Sequence, residues 1–234
     1  MLSELELRTI TAFYPDPVGK TIKELCSASE YSYERVNTAL KSLVKMRVAR
    51  SKLTGNVLTY DLETSMEEAL VGFILYASER TKEFKKSHPR EFEVIKRFAG
   101  SVQGDTAIIF GSFAKKLQTK KSDLDVIFVS DDIDVTRKAL SMELELGIDV
   151  NAMNVPKDGF YQMRFDNPVF FEDLVNFGIV IKGYETFFEL VYRWDIWSKG
   201  NSIGSSRIIS SSGGPSCRRS PRFIWRRPGR TWSR

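Results

Sequence analysis

The stretch 106–129, TAIIFGSFAKKLQTKKSDLDVIFV, constrains the fold of this chain more than any other part. It holds two runs of strand length, TAIIF and LDVIFV, that are almost wholly apolar. A strand apolar on both faces belongs inside a sheet that is covered on both sides. Gly111-Ser112 follows the first run and opens a short helix. From residue 104 onward the patterns alternate: a helix over 135–146, a strand over 148–155, a helix over 170–177, a strand over 178–182 and a helix over 184–194. This is the texture of an α/β domain, and the pattern leaves its strand order open.

The first hundred residues have a different period. Residues 3–14 form a helix with Leu7, Ile10, Thr11 and Tyr14 on one face, and Asp16-Pro17 and Gly19 break it. A second helix over 21–27 turns Ile22, Leu25 and Cys26 inward. A third runs over 32–47 from Ser32, with Val36, Leu40, Leu43 and Val44 at helical spacing. Runs at 48–53 and 57–62, joined by Thr54-Gly55-Asn56, give a hairpin. Three helices and a hairpin make the plan of a winged helix-turn-helix, whose third helix would enter a DNA groove. The polar face of that helix is Asn37, Thr38, Lys41 and Lys45. The stretch 35–52 holds six Lys or Arg and no acid, Lys52 on the hairpin among them. Such groups suit phosphates and base edges; the same face would serve as the solvated side of a protein-contact module. A helix over 65–85 follows, with Met66, Leu70, Phe73, Ile74 and Ala77 in register, then a charge-rich connector and a helix over 90–98. His88, beside Pro89, reads as a surface histidine. The expected units are a winged helix over 1–62, a helical connector over 63–99, an α/β domain over 100–198 and a basic tail over 199–234.

Composition removes whole classes. Two cysteines exclude a disulfide scaffold and a cysteine-based zinc site, and a single histidine excludes His-pair metal chemistry. No apolar run reaches the roughly 18–20 residues that a membrane helix needs. The acidic N-terminus lacks the basic start of a signal peptide, so a cytoplasmic protein without membrane contact is expected. The net charge of +5 is misplaced on average. Residues 199–234 hold nine of the 35 Lys and Arg and no acid, which leaves 26 bases against 30 acids, a net of −4, in residues 1–198. The tail has no apolar period. It is either a nucleic-acid-binding arm or sequence that selection has not shaped, and the second reading predicts little ordered structure.

The chemistry sits in the α/β part. Asp123 and Asp125 stand two apart, which on a strand puts them on one face, about 6.6 Å apart along the chain. Like charges there repel, and a divalent cation such as Mg²⁺ relieves the conflict; alternatively both carboxylates sit at the exposed start of the strand. Gly111-Ser112 turns from strand to helix, where free N–H groups favour an anion such as a phosphate; alternatively it is a plain helix cap. Asp149, between Ile148 and Val150, is a third carboxylate in strand-like surroundings, and the three converge if the two strands are neighbours.

Gly111-Ser112, ten residues, then Ser122-Asp123-Leu124-Asp125-Val126, with Asp149 later, resembles the nucleotidyltransferase superfamily of DNA polymerase beta, above all its minimal prokaryotic members. The resemblance covers about 90–198 and includes NPVFFEDLVNFGIVIKG near its end. It implies a polymerase-beta-like α/β domain with a mixed sheet; the winged helix-turn-helix that precedes it, read from its own helix and hairpin pattern, is not part of the resemblance, and together they make an α+β chain. It implies that Asp123, Asp125 and Asp149 are catalytic and hold two Mg²⁺ ions. Gly111, Ser112 and Lys115 would bind the phosphates of an NTP, taken as ATP. Lys115 and Lys116 stand where the family commonly has arginine, so the bidentate fork is lost and a point charge remains. The expected reaction moves a nucleoside monophosphate from NTP to an acceptor hydroxyl, with release of pyrophosphate. A small antibiotic, an RNA end or a partner protein would each offer such a hydroxyl, and by the same resemblance the first reading is a HEPN-type toxin protein. The winged helix, by its own pattern, would bind duplex DNA through Asn37, Thr38, Lys41, Lys45 and Lys52. The alternative is a DNA-binding regulator whose nucleotidyltransferase fold only binds nucleotide.

Overall fold

The computed structural model describes residues 2–101, 105–119, 122–130 and 135–193. Expectations for the tail at 199–234, and for the helix beyond 193, lie outside them.

The chain starts with two helices that satisfy their own free N–H groups. In α1 (Glu4–Thr11) the Ser3 hydroxyl accepts from the Glu6 N–H at 3.3 Å, while the Glu6 carboxylate accepts from the Ser3 N–H at 2.6 Å. Thr21 and Glu24 repeat the arrangement at the start of α2 (Ile22–Ser29). Reciprocal capping of this kind fixes a helix start in a short sequence. In α3 (Tyr33–Lys45), Val36, Ala39, Leu40 and Leu43 are buried, whereas Val44 is only partly covered. Ser32 occupies the N-cap position without a side-chain capping bond. The hairpin is β2 (Ala49–Thr54) and β3 (Val57–Leu62). A two-residue strand, β1 (Lys20–Thr21), pairs antiparallel with β3 and gives the order β1-β3-β2. Two residues carry no periodicity, so no pattern marks β1 in the sequence.

The expected connector over 63–99 is two helices that meet at His88. α4 runs over Glu67–Ser87 and α5 over Pro89–Ser101. Ala77, Thr81 and Phe84 continue the buried face of α4 at spacings of four and three, so the charges mark its solvated side rather than a break. α4 lies against α1 closely enough that a Cβ on Gly72 would stand 2.2 Å from Ile10 Cγ2.

The second sheet holds β4 (Thr106–Phe110), β5 (Leu124–Val129), β6 (Val150–Val155) and β7 (Ile179–Lys182), in the order β6-β5-β4-β7. β5 and β6 are parallel, and the other pairs are antiparallel, so the sheet is mixed. The helices of this part are α6 (Gly111–Ala114), α7 (Val135–Leu146), α8 (Lys157–Asp166), α9 (Pro168–Phe177) and α10 (Tyr184–Phe188), which continues as a π-helical turn over Glu189–Arg193. α8 has no counterpart in the sequence reading. Phe160 and Met163 are its buried residues, too few to show a period.

Strand alternation splits the core in two. Ala107, Ile109, Val126, Phe128 and Ile181 join α5 and α7 in one cluster. Ile108, Phe110, Ile127, Val129 and Val180 join a second cluster that is continuous with Ile10, Phe13, Leu25 and Leu40 of the N-terminal part. Phe73 of α4 sits at the junction, its ring centroid 5.7 Å from Tyr14, 5.6 Å from Phe188 and 5.0 Å from Tyr192. Two phenols tie the parts together. Tyr14 donates to the Val175 carbonyl, and Tyr192 donates to the Pro15 carbonyl at 2.6 Å. Among the described residues no helix is long and apolar enough to cross a membrane.

Candidate active site

β4 ends where β5 and β6 begin, so one end of the sheet gathers the residues singled out above. Phe110 pairs with Asp125, Leu124 with Val150, and Asp125 with Asn151. The Leu124 N–H donates to the Asp149 carbonyl at 2.9 Å, which sets Asp149 beside the start of β5.

Gly111 makes the tight turn out of β4. Its φ of +68° suits glycine and few other residues. A Cβ at this position would stand 2.1 Å from Asp125 Oδ2. The glycine is therefore required twice, by its backbone and by the carboxylate packed against it. Asp125 is half-buried, and its other oxygen, Oδ1, accepts from the Asn151 amide at 3.0 Å.

The other two aspartates differ from expectation. Asp123 precedes β5 and Asp149 precedes β6, and both are exposed. The desolvation argument for a cation thus applies to Asp125 and not to its neighbours; for Asp123 the exposed-start reading holds. Among the described residues, no three His, Cys, Asp or Glu side chains stand close enough together to hold one ion. The donors at this end of the sheet are hard carboxylate oxygens, and two of the three lie two residues apart, one just before β5 and one within it, which fits a Mg²⁺-type ion held partly by protein and partly by substrate and water. Ser122 shapes the approach to the pair: its hydroxyl accepts from the Thr119 N–H at 2.8 Å and closes the loop before Asp123.

Lys115 reaches toward α9. Its Nζ lies 2.6 Å from Asp173 Oδ1 and 5.2 Å from the Phe177 ring centroid. Both side chains are about one-third exposed, so the pair is worth roughly 1 kcal/mol or less and is exchangeable. Lys116, at φ +59°, pairs with Glu83 at 3.2 Å. Beside them lies a cleft of about 290 Å³ lined by residues of α4, α6, α9 and β7, His88 among them. His88 is not a plain surface histidine. It is half-buried, stacks on Phe84 at 4.8 Å, and its Nε2 lies 2.8 Å from Gln118 Nε2. Its Nδ1 lies 3.0 Å from the Ser87 hydroxyl.

The residues expected to meet DNA stand elsewhere, on α3 and β2. Thr38, Lys41, Lys45 and Lys52 are exposed and Asn37 is half-buried. The Thr38 hydroxyl donates to the Glu34 carbonyl at 2.8 Å within its own helix.

Sequence reasoning missed Asn151, Asp173 and Gln118. Asn151 had one available signal, its place two residues after Asp149, but only the parallel register reveals that it faces Asp125.

A family model described as a nucleotidyltransferase domain matches residues 93–157. That span holds Gly111, Ser112, Lys115, Asp123, Asp125 and Asp149 and stops before β7. No curated protein matches the chain. A solved chain described as "Crystal structure of the toxin-antitoxin with AMP-PNP" is 16% identical, with 48% of this chain and 93% of that one covered and a TM-score of 0.34. The family match supports nucleotidyl transfer as the general class of activity.

Proposed function

We propose that this chain is a metal-dependent nucleotidyltransferase that moves a nucleoside monophosphate from an NTP, taken as ATP, to an acceptor hydroxyl. The observation that carries this reading is the seating of Asp125 against Gly111 at the sheet end where Asp123 and Asp149 also start, inside the segment that matches the nucleotidyltransferase model. Asp123 and Asp125 would hold Mg²⁺, with Asp149 on the acceptor side. Metal bound there would neutralise phosphate charge and stabilise the in-line displacement. The chain's own part is positioning and charge. The N–H groups and the serine hydroxyl of the Gly111-Ser112 turn would donate to phosphate oxygens. Lys115 would exchange Asp173 for phosphate. Asp149 would accept the proton of the acceptor hydroxyl as its oxygen bonds to the α-phosphorus and pyrophosphate departs.

The N-terminal part serves as a winged helix-turn-helix in this reading, with Asn37, Thr38, Lys41, Lys45 and Lys52 toward duplex DNA. The acceptor is a hydroxyl on a HEPN-type toxin protein, a step that rests on the sequence resemblance. The test is to incubate the chain with α-labelled NTPs, Mg²⁺ and the product of the adjacent gene. Label retained on that protein, and lost with chelator or with Asp123→Asn, supports the reading. Absence of transfer with every NTP contradicts the choice of acceptor.

A second reading, a DNA-binding regulator that only senses nucleotide, is favoured by two observations: Lys115 is held by Asp173, and no three carboxylates cluster among the described residues. Metal-dependent nucleotide binding without release of pyrophosphate in the presence of the partner would select it.

A further inference from the structure

We propose that Asn151 is a positioning residue for the candidate metal site, holding the Asp125 carboxylate in the orientation that a divalent cation requires. The inference rests on the nucleotidyltransferase reading and names a residue which that reading does not use.

The Asp125 carboxylate is oriented by a hydrogen bond from one element and given room by another. Asn151 Nδ2 of β6 donates to Oδ1 at 3.0 Å. Oδ2 occupies the space that a side chain at residue 111 would fill, 2.1 Å from that Cβ position. The hydrogen bond at Oδ1 restrains rotation of the carboxylate about its bond to Cβ, and the missing side chain at residue 111 leaves room for Oδ2 in that orientation. The parallel register sets Asn151 directly across from Asp125 on the same face of the sheet.

The residue type is informative. Asparagine is a poor strand former, and Asn151 is exposed on β6, an edge strand of this sheet. Burial gives it nothing there. Its amide, however, donates a hydrogen bond without adding charge. A lysine in the same place would orient the carboxylate too, but would oppose an incoming cation with its own charge. A neutral donor leaves the negative charge available. Hydrogen bonds of this kind to ligating carboxylates commonly matter by about 10–100-fold in metal affinity or activity.

The test uses the full chain and Mn²⁺ as the probe, with binding followed by calorimetry in the absence of nucleotide and thermal midpoints taken in chelator. Asp125→Asn should remove binding at this site. Asn151→Ala should weaken Mn²⁺ binding by about 10–100-fold and raise the Mg²⁺ concentration for half-maximal activity more than it lowers kcat at saturating Mg²⁺. Its midpoint in chelator should match that of the unaltered chain. Asn151→Gln, which keeps an amide donor, should recover part of the affinity, and it carries the test if the alanine variant fails to fold. If Asn151→Ala binds Mn²⁺ as tightly as the unaltered chain while Asp125→Asn does not bind, the positioning role is overturned and the proposed function stands. A lower midpoint with unchanged affinity would likewise overturn it, as the mark of a purely structural role. If Asp125→Asn leaves Mn²⁺ binding intact, both readings fall.

Discussion

The polar face of α3 and the carboxylate end of the second sheet are both reachable from solvent, but they are built by different means. On α3 the exposed Thr38, Lys41 and Lys45 project from a helix whose fold depends on its opposite face, where Val36, Leu40 and Leu43 are buried. Changing the polar face leaves the packing alone. At the sheet end, Asp125 is placed by a left-handed glycine, by the parallel register of β5 on β6 and by the Asn151 amide. There the backbone makes the site, and a change at the glycine that shapes it disturbs the fold. The comparison teaches that tolerance to substitution should differ sharply between the two surfaces, and most at Gly111.

The largest effect should come from the core that joins them. Phe73 is 1% exposed and touches aromatic rings from both ends of the chain. Phe73→Ala should cost about 3–5 kcal/mol. Chemical unfolding followed by separate probes on α3 and β5 should show both losing structure in one transition. Two separate transitions would mean that the regions fold independently, and the contrast would then concern two domains rather than two surfaces.

Gly111→Ala comes next. A positive φ and a Cβ 2.1 Å from Asp125 Oδ2 together predict a loss of about 1–3 kcal/mol, with weaker metal binding. Urea midpoints and Mn²⁺ titration check both. An alanine variant with an unchanged midpoint would remove the claim that the backbone makes the site.

Alkaline pH should loosen the seam. Burial pushes the Tyr14 and Tyr192 phenols well above their ordinary value, so the fold favours their neutral forms. A raised value in the folded state means a contribution that is complete below the ordinary tyrosine value of about 10 and is lost above it. The thermal midpoint should fall as pH rises past about 10, and Tyr14→Phe should flatten part of that limb.

The smallest effect on stability should come from the exposed helix face. Lys41→Ala with Lys45→Ala should leave the thermal midpoint unchanged. It should lower the salt slope of duplex binding by about one unit for each phosphate that is no longer neutralised. A large drop in midpoint would show that α3 is not the tolerant surface assigned to it.

The two regions also differed in how much of them the sequence disclosed. The buried stripe of α3 and the strands β4 and β5 followed from apolar spacing, because burial leaves a period. α4 was legible in its length and in Ala77, but the buried Thr81 and Phe84 of its second half were not, since they stand among charged residues that hide the period. β1 is too short for a pattern, and α8 buries too little. At the site, Gly111 and the aspartates were legible as residue types, but their placement was not. Asp123 and Asp149 sit just outside the strands rather than in them. Asn151 became meaningful only through the register of β6 on β5, a long-range property that no local spacing encodes. Lys115 was legible as a charge, while its partner Asp173, 58 residues on, was not.

The central claim is that the Asp125 carboxylate, seated on Gly111, is what makes this chain a metal-dependent nucleotide-handling protein. The most direct measurement is calorimetric titration of a non-hydrolysable ATP analogue into the full chain, with Mg²⁺ and with chelator, beside Asp125→Asn. Binding that requires Mg²⁺ and disappears in Asp125→Asn, at an unchanged thermal midpoint in chelator, is the predicted result. Binding that survives both the chelator and the substitution would contradict the account.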